Sequence, residues 1–142
     1  MARKDLMKSQ SELNIHKLVK GFFKDKHTVM LVFLFGSYAS KQMKTLSDID
    51  IGILFDKKPS FYEMNDLKEN LSEIVKRDID LVALNDASPI IKMQVIKKGI
   101  LVFQRNKNYF SVFYGDTVNQ YDDLKITRRK CEDNILKGRI YA

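Results

Sequence analysis

The sequence predicts an α/β fold, a small sheet of about four strands flanked by helices, with a helical C-terminal segment. Short apolar runs alternate along the chain with longer stretches whose apolar residues recur every three or four positions. Of the 142 residues, 44% are hydrophobic and 30% charged, which excludes a disordered or collagen-like chain. We expect one domain over residues 1–142, with its core in about 10–105 and the helical segment in about 106–142.

The first third of the chain predicts one helix and two strands. Ser9 and Glu12 have the spacing of a capping box, and the apolar pattern after them predicts a helix over about residues 10–25. Residues 30–35 form a short aliphatic and aromatic run that ends at a Gly-Ser pair, which is typical of a central strand. Acidic and aliphatic residues alternate at the start of residues 48–55, which predicts a second strand.

The middle of the chain repeats the alternation of helix and strand. A second capping box opens residues 60–75, where apolar side chains at intervals of three and four predict a helix. Residues 78–84 repeat the acidic and aliphatic pattern and predict a third strand. A short helix is expected over 88–98, because Pro89 suits a first helical turn, and a fourth strand follows at 100–103.

The C-terminal segment is basic and aromatic. Residues 87–142 carry 11 Lys and Arg against 5 Asp and Glu, whereas residues 1–86 carry 14 against 13. Residues 109–142 have a mainly helical pattern, which we expect Gly115 to interrupt. Three uses are open for this segment: core filling with a solvated basic face, docking of a partner, or RNA binding, for which no recognised motif is present.

Cysteine usage and the apolar runs indicate where the protein works. Cys131 is the single cysteine, so no intramolecular disulfide can form, and a reducing compartment is favoured. The longest apolar run, Val29 to Phe35, is far shorter than the roughly 20 residues of a membrane span. The basic N-terminus is followed by polar residues rather than an apolar stretch, so we expect no signal peptide, no membrane contact and a cytoplasmic location.

Two acidic residues of the second strand form the strongest chemical signal. Asp48 and Asp50 point to the same side of a strand, with α-carbons roughly 7 Å apart. Their repulsion is costly unless a cation lies between them, and hard oxygen ligands favour Mg²⁺ over zinc. His16 lies in the predicted first helix and His27 in a charged loop, and both are interpreted as structural or surface residues.

A second signal is Gly36-Ser37, at the end of the first strand. Glycine allows a ligand to approach the backbone closely, and exposed N–H groups at a helix start favour phosphate oxygens. The Ser37 hydroxyl adds a further donor. This pair alone is weak, but together with the paired carboxylates it indicates a phosphate site.

The spacing of these signals resembles a known family. Gly36-Ser37 is followed after ten residues by Asp48-Ile49-Asp50 and then by a third acid, Asp80, on the next strand. The segment from Leu34 to Ala39 and the segment from Leu46 to Ile51 are similar to the motif of the minimal nucleotidyltransferases of the polymerase-beta superfamily. The resemblance covers about residues 10–105 and implies a polymerase-beta-like nucleotidyltransferase fold, with a small mixed sheet.

The resemblance also implies the roles of the acidic residues in nucleotidyl transfer. Asp48, Asp50 and Asp80 are expected to be catalytic and to hold two Mg²⁺ ions. Asp80 would complete the site on the acceptor side or accept the proton of the acceptor hydroxyl. Asp78 competes for the third position, because it lies two residues earlier on the same face.

Three further residues are expected to bind the triphosphate of ATP. Gly36 and Ser37 would hold the outgoing pyrophosphate. The family more often has a basic residue and a glycine after the Tyr-Ala pair, whereas this chain has Ser40-Lys41-Gln42. We assign the basic role to Lys41.

Within this family the chain looks most like antitoxins encoded beside a HEPN-type ribonuclease toxin. The carrying segments are Asp80 to Pro89 and Ile96 to Phe103. The resemblance implies a protein adenylyltransferase that transfers AMP from ATP to a tyrosine of its toxin and forms a hetero-oligomer with it. Direct nucleic-acid binding is not expected.

Two alternatives remain open from the sequence. The chain could be a non-catalytic antitoxin or nucleotide-binding subunit that inhibits its partner by contact alone, although the retained site residues favour an enzyme. It could also be a nucleotidyltransferase for a small molecule. The lack of a second substrate-binding domain argues against that reading.

Overall fold

The computed structural model describes residues 14–35 and 48–136, and their elements alternate between helix and strand. In chain order these are α1 (residues 14–24), β1 (Val29–Phe35), β2 (Ile49–Phe55), α2 (Phe61–Val75), β3 (Ile79–Ala83), α3 (Pro89–Lys98), β4 (Ile100–Gln104) and α4 (Tyr109–Leu136). The strands and helices expected in these ranges are confirmed, and the ends that lie within them differ by one or two residues. The capping box of Ser9 and Glu12, the expected start of the first helix and the end of the C-terminal segment lie outside the described residues.

The four strands form one mixed sheet in the order β3-β2-β1-β4. Strand β1 runs antiparallel to both β2 and β4, while β2 and β3 are parallel. Parallel neighbours need a long crossover, and α2 provides it between β2 and β3. The expected small mixed sheet is therefore confirmed.

Each face of the sheet is covered by its own hydrophobic core. Because side chains alternate along a strand, Val32 and Leu34 of β1 point into a core that includes Phe23 of α1 and Leu71 of α2. Phe33 of β1 points to the opposite face. The second core is completed by buried side chains that include Leu31, Leu84, Val95 and Phe113. The fold thus has three layers, with α1 and α2 on one face and α3 and α4 on the other.

Side-chain caps fix where two helices begin. The Ser60 hydroxyl accepts a hydrogen bond from the Glu63 N–H at 3.2 Å, and the Ser88 hydroxyl accepts one from the Ile91 N–H at 3.3 Å. Each cap satisfies a backbone donor that the first helical turn leaves unpaired. The helix starts expected at these two serines are confirmed.

Arg105 joins the end of β4 to the end of α1. Its Nε donates to the Val29 carbonyl at 2.8 Å, and one terminal nitrogen donates to the Lys26 carbonyl at 2.7 Å. The same nitrogen also lies within hydrogen-bond distance of the carbonyls of Phe23 and Lys24. The last carbonyls of a helix have no partner within it, so this guanidinium closes the C-terminal end of α1.

The interruption expected at Gly115 is wrong, because α4 is one helix of 28 residues that runs through it. A helical glycine costs about 1 kcal/mol relative to alanine, which tertiary packing readily outweighs. Phe113 and Thr117, on either side of Gly115, are both buried. Within residues 14–35 and 48–136, no helix combines the length and apolar character needed to cross a membrane.

Replacing Arg105 tests its role in joining α1 to the sheet. We expect Arg105→Lys to lower the free energy of unfolding by about 1–3 kcal/mol, because an ammonium cannot donate to several separated carbonyls at once. Chemical denaturation measures the loss. Lys107→Ala, at an exposed position nearby, is the control, and equal stability of the two variants would contradict the role.

Gly115 offers a second test of the fold. Apart from its chain neighbours and the backbone of its own helix, a Cβ at this position would meet no atom within 4 Å, so Gly115→Ala should raise the free energy of unfolding by about 1 kcal/mol. Gly99→Ala is the contrasting variant, because its Cβ would collide with the Val95 carbonyl oxygen and should destabilise the protein. Thermal unfolding of both variants measures the two signs, and a destabilising Gly115→Ala would mean that α4 is not continuous.

Candidate active site

Asp50 and Asp80 are neighbours across the parallel pair of strands. The register pairs Asp50 of β2 with Asp80 of β3, next to the pair formed by Ile49 and Ile79. Paired residues of adjacent strands lie roughly 4.8 Å apart and project to the same side of the sheet. The two residues are thirty positions apart in the chain, yet their carboxyl groups lie together at the end of the sheet where β2 and β3 begin.

The alternation of acidic and aliphatic residues explains this placement. Ile49 and Ile51 of β2 are fully buried in the core under α1 and α2. Asp50, between them, therefore projects to the other face, which further along β2 is covered by Leu54 and its neighbours in the second core. Burial of the isoleucines fixes the register, since a slip by one residue would bury the aspartate instead.

Asp48 precedes β2 and completes the group of carboxylates. It is exposed, Asp50 is half-buried and Asp80 is exposed. Burial, followed by the charges of Asp80 and Asp48, raises the pKa of Asp50 above its usual range. Both neighbouring carboxylates are thus close enough to Asp50 to oppose its ionisation.

Asp78 occupies a different position from Asp80. It comes just before β3, and its backbone carbonyl accepts a hydrogen bond from the Ile49 N–H at 3.0 Å. The neighbours that raise the pKa of Asp50 are Asp80 and Asp48. The backbone of Asp78 thus aligns the two strands, while the Asp80 side chain lies beside Asp50.

The carboxylate oxygens of Asp48, Asp50 and Asp80 are the kind of ligand that a hard divalent cation prefers. Carboxylate oxygens are the preferred protein ligands of Mg²⁺, and a cation would relieve the repulsion from Asp80 and Asp48 that adds to burial in raising the pKa of Asp50. Among the described residues, no three or more His, Cys, Asp or Glu side chains are arranged so that they could hold a metal ion together.

The expected phosphate-binding residues Gly36, Ser37 and Lys41 lie outside the residues that the structure describes. Their roles stay predictions. The last described residue of β1, Phe35, is paired with Asp50 across the antiparallel strands. The strand that leads to Gly36-Ser37 therefore ends beside the carboxylates.

Gly52 is a residue that the sequence reasoning missed. It lies between Asp50 and Leu54 on the same face of β2, and a Cβ there would approach the Leu84 side chain to 3.3 Å. Its lack of a side chain lets Leu84, which follows β3, pack closely over β2. A glycine within an otherwise aliphatic strand was the available signal, since such a glycine often marks a close approach.

Comparison with known proteins assigns the chain to a family. The family model described as polymerase beta, nucleotidyltransferase matches residues 17–108. The chain belongs to this nucleotidyltransferase family, and the resemblance found from the motif is confirmed.

Among individual relatives, the chain is similar to the protein adenylyltransferase MntA of Shewanella oneidensis. The two are 28% identical over 127 residues, which cover 88% of this chain and 89% of MntA. A second relative, from Methanocaldococcus jannaschii and provisionally named a protein adenylyltransferase, is 38% identical over 93 residues. This alignment covers 63% of the chain and 93% of the relative.

Chains of solved structures are also similar to this chain in fold. A chain from a crystal structure of a toxin-antitoxin with AMP-PNP superposes with a TM-score of 0.74 at 25% identity, covering 85% of this chain and 98% of that chain. A chain from a complex of the tri-AMPylated HEPN toxin of Shewanella oneidensis with its MNT antitoxin gives a TM-score of 0.65 at 26% identity, with 90% and 98% covered. The polymerase-beta-like fold is confirmed.

The crowding of carboxylates predicts how stability depends on pH. A raised pKa means that the folded state binds more protons than the unfolded state, so the metal-free protein should lose stability as pH rises from about 4 through the folded pKa of Asp50. Asp50→Asn removes this loss. We expect the variant to be more stable than the wild type at pH 7, by less than about 1 kcal/mol because the group is partly exposed.

Thermal unfolding across pH 4 to 8 in a chelating buffer measures the difference. Asp66→Asn, at an exposed position in α2, is the control for loss of a carboxylate elsewhere. Wild-type and Asp50→Asn curves that stay parallel over this range would contradict the proximity of the three carboxyl groups.

Proposed function

We propose that this chain is an antitoxin that transfers AMP from ATP to a hydroxyl group of a HEPN-type toxin and thereby neutralises it. The observation that carries the proposal is that the carboxyl groups of Asp50, Asp80 and Asp48 lie together at the end of the sheet where β2 and β3 begin. Support comes from MntA, named a protein adenylyltransferase, and from the similar antitoxin bound to a tri-AMPylated HEPN toxin.

The transfer that we propose is direct and in line. The acceptor oxygen bonds to the α-phosphorus of ATP, the bond from that phosphorus to the pyrophosphate oxygen breaks, and pyrophosphate leaves. Positioning and charge neutralisation supply most of the acceleration in such reactions. No covalent intermediate on the enzyme is needed.

The roles of the carboxylates depend on their positions. Asp48, Asp50 and Asp80 bind Mg²⁺, which when bound neutralises the triphosphate and lowers the pKa of the acceptor hydroxyl. Asp80 is exposed at the edge of the sheet, where it can also accept the proton that the hydroxyl loses. Asp78 has no part in this scheme beyond the alignment of β2 with β3 through its carbonyl.

The remaining assignments follow from the same family relationship. Gly36, Ser37 and Lys41 hold the phosphates of ATP, and a structure similar to this chain contains the ATP analogue AMP-PNP. The acceptor is a tyrosine of the toxin. We further infer that residues 1–142 act as one domain in the cytoplasm, where the single Cys131 stays reduced.

Neutral variants of the same size test the roles of the acidic residues. Asp48→Asn, Asp50→Asn and Asp80→Asn should each lower AMP transfer at least about 100-fold, because a ligand charge is lost from the centre. The measurement is the intact mass of the toxin encoded beside this chain, after incubation with the antitoxin, ATP and Mg²⁺.

Asp78→Asn is the matched control, since it removes the competing carboxylate but keeps the backbone that aligns the strands. It should retain activity within about threefold of the wild type. An active Asp50→Asn protein would refute the metal assignment. A stable complex with no AMP transfer by the wild type would favour an antitoxin that inhibits by contact alone.

A further inference from the structure

The C-terminal end of α3 lies at the same end of the sheet as the candidate active site. Strand β4, which follows α3, begins with Ile100 paired to Leu34 of β1. The next residue of β1, Phe35, is paired with Asp50 of β2. Gly99, between α3 and β4, is held close to β1, since a Cβ there would approach the Leu34 carbonyl oxygen to 3.1 Å. Adjacent strands are about 4.8 Å apart, so the start of β4 lies roughly 10 Å from Asp50 across the end of β1.

Two lysines near this end of α3 share one aromatic ring. Lys97 is the penultimate residue of α3, and its ammonium lies 5.8 Å from the centre of the Tyr121 ring in α4. Lys125 follows Tyr121 by about one helical turn, and its ammonium lies 4.9 Å from the same ring centre. Both lysines are exposed, while Tyr121 is half-buried. Two helices therefore bring two positive charges to one partly fixed ring.

Neither of these lysines is paired with a carboxylate in the described part of the chain. Lys58 forms an ion pair with Asp86 at 3.3 Å, but Lys97 and Lys125 form none within residues 14–35 and 48–136. An aromatic ring attracts an ammonium group, yet it does not neutralise the charge. Two ammonium groups at one ring repel each other, and an anion between them would stabilise both. The pair therefore favours an anionic ligand.

The helix dipole accounts for only part of this arrangement. Lys97 and Lys98 lie in the last turn of α3, where positive charge is favourable. Lys125 lies in the interior of α4 (Tyr109–Leu136), where no helix end needs a cation. The approach of Lys125 to the ring that Lys97 also contacts thus needs another explanation.

The position of the lysine pair favours the phosphates of a nucleotide. Helices α3 and α4 cover the face of the sheet to which Asp50 projects. Strand β1 lies between β2 and β4, so a triphosphate that starts at Asp50 and crosses the end of β1 points toward the start of β4. A triphosphate and a lysine side chain together span a distance of the order that separates Asp50 from β4.

We propose that Lys97 and Lys125 bind the β- and γ-phosphates of ATP, and then the pyrophosphate that AMP transfer releases. Tyr121 is the positioning residue, because its ring holds the two ammonium groups where one diphosphate can contact both. Ammonium groups bind phosphate oxygens as charge-assisted hydrogen-bond donors. This inference rests on the proposed function, since it takes ATP as the nucleotide.

The first experiment needs neither the toxin nor AMP transfer. Inorganic pyrophosphate is the probe, and AMP, which lacks the β- and γ-phosphates, is the comparison. In NMR of the full chain with labelled tyrosine rings and Mg²⁺ present, pyrophosphate should saturably shift the signals of Tyr121, whereas AMP should not. The Tyr121→Phe variant identifies these signals. Saturation by pyrophosphate without a shift at Tyr121, or no binding at all, would overturn the proposal.

The second experiment measures the affinity of lysine variants by calorimetry. Lys97→Gln and Lys125→Gln should each weaken the binding of pyrophosphate and of AMP-PNP about tenfold, because each removes a charged donor. Lys92→Gln is the matched control, since Lys92 lies near the start of α3 and its ammonium donates to the Gln120 side chain at 3.2 Å.

The control variant should bind pyrophosphate within about twofold of the wild type. An equal loss in all three variants would mean that only the overall positive charge attracts the anion, and would overturn the proposal. Wild-type affinity in Lys97→Gln and Lys125→Gln would do the same. Thermal unfolding of each variant checks that the fold is intact.

Kinetics separate this proposal from the proposed function. With the toxin and ATP as substrates, Lys97→Gln should raise the KM for ATP about tenfold and leave the KM for the toxin unchanged. A raised KM for the toxin, with unchanged affinity for pyrophosphate, would overturn the proposal and assign these lysines to an acidic surface of the partner. Selective binding of pyrophosphate at Tyr121 by a wild type that transfers no AMP would support the lysine site and refute only the proposed chemistry.

Discussion

The parallel pairing of β2 with β3 is the constraint on which the candidate site depends. It places Asp50 beside Asp80, two residues that the chain separates by the whole of α2. The pairing is fixed by Ile49, Ile51 and Ile79, which are buried on the opposite face. Hydrophobic burial on one side of the sheet thus forces together like charges on the other side.

This arrangement costs the free protein stability, a cost that a bound cation would relieve. Burial and two neighbouring carboxylates oppose the ionisation of Asp50. Sites of this kind are often retained because function needs them, although a neutral residue would be more stable. The stabilising contacts lie elsewhere, in the two cores and in the junction that Arg105 makes with the end of α1.

Much of the fold was readable in the sequence because its signals are local. Capping serines, the period of apolar residues and the acidic and aliphatic strands each depend on residues within a few positions, and the capping bonds of Ser60 and Ser88 are present. The interruption expected at Gly115 was wrong, because the low helix propensity of one residue is weak beside the packing of a long helix.

Local sequence signals likewise predicted one part of the candidate site and not the other. The spacing of Asp48 and Asp50 is local, so their common side could be inferred, whereas the pairing of Asp50 with Asp80 arises only from the register of two strands.

The central claim is that Asp48, Asp50 and Asp80 form one metal-dependent nucleotidyltransferase centre. Its most direct test is a crystal structure of the chain with AMP-PNP and Mn²⁺, a Mg²⁺ substitute whose position is visible by anomalous scattering. We expect anomalous peaks bonded to the carboxylate oxygens of these aspartates and to the phosphates of the nucleotide. Mn²⁺ bound away from these aspartates, or bound through Asp78 in place of Asp80, would contradict the account.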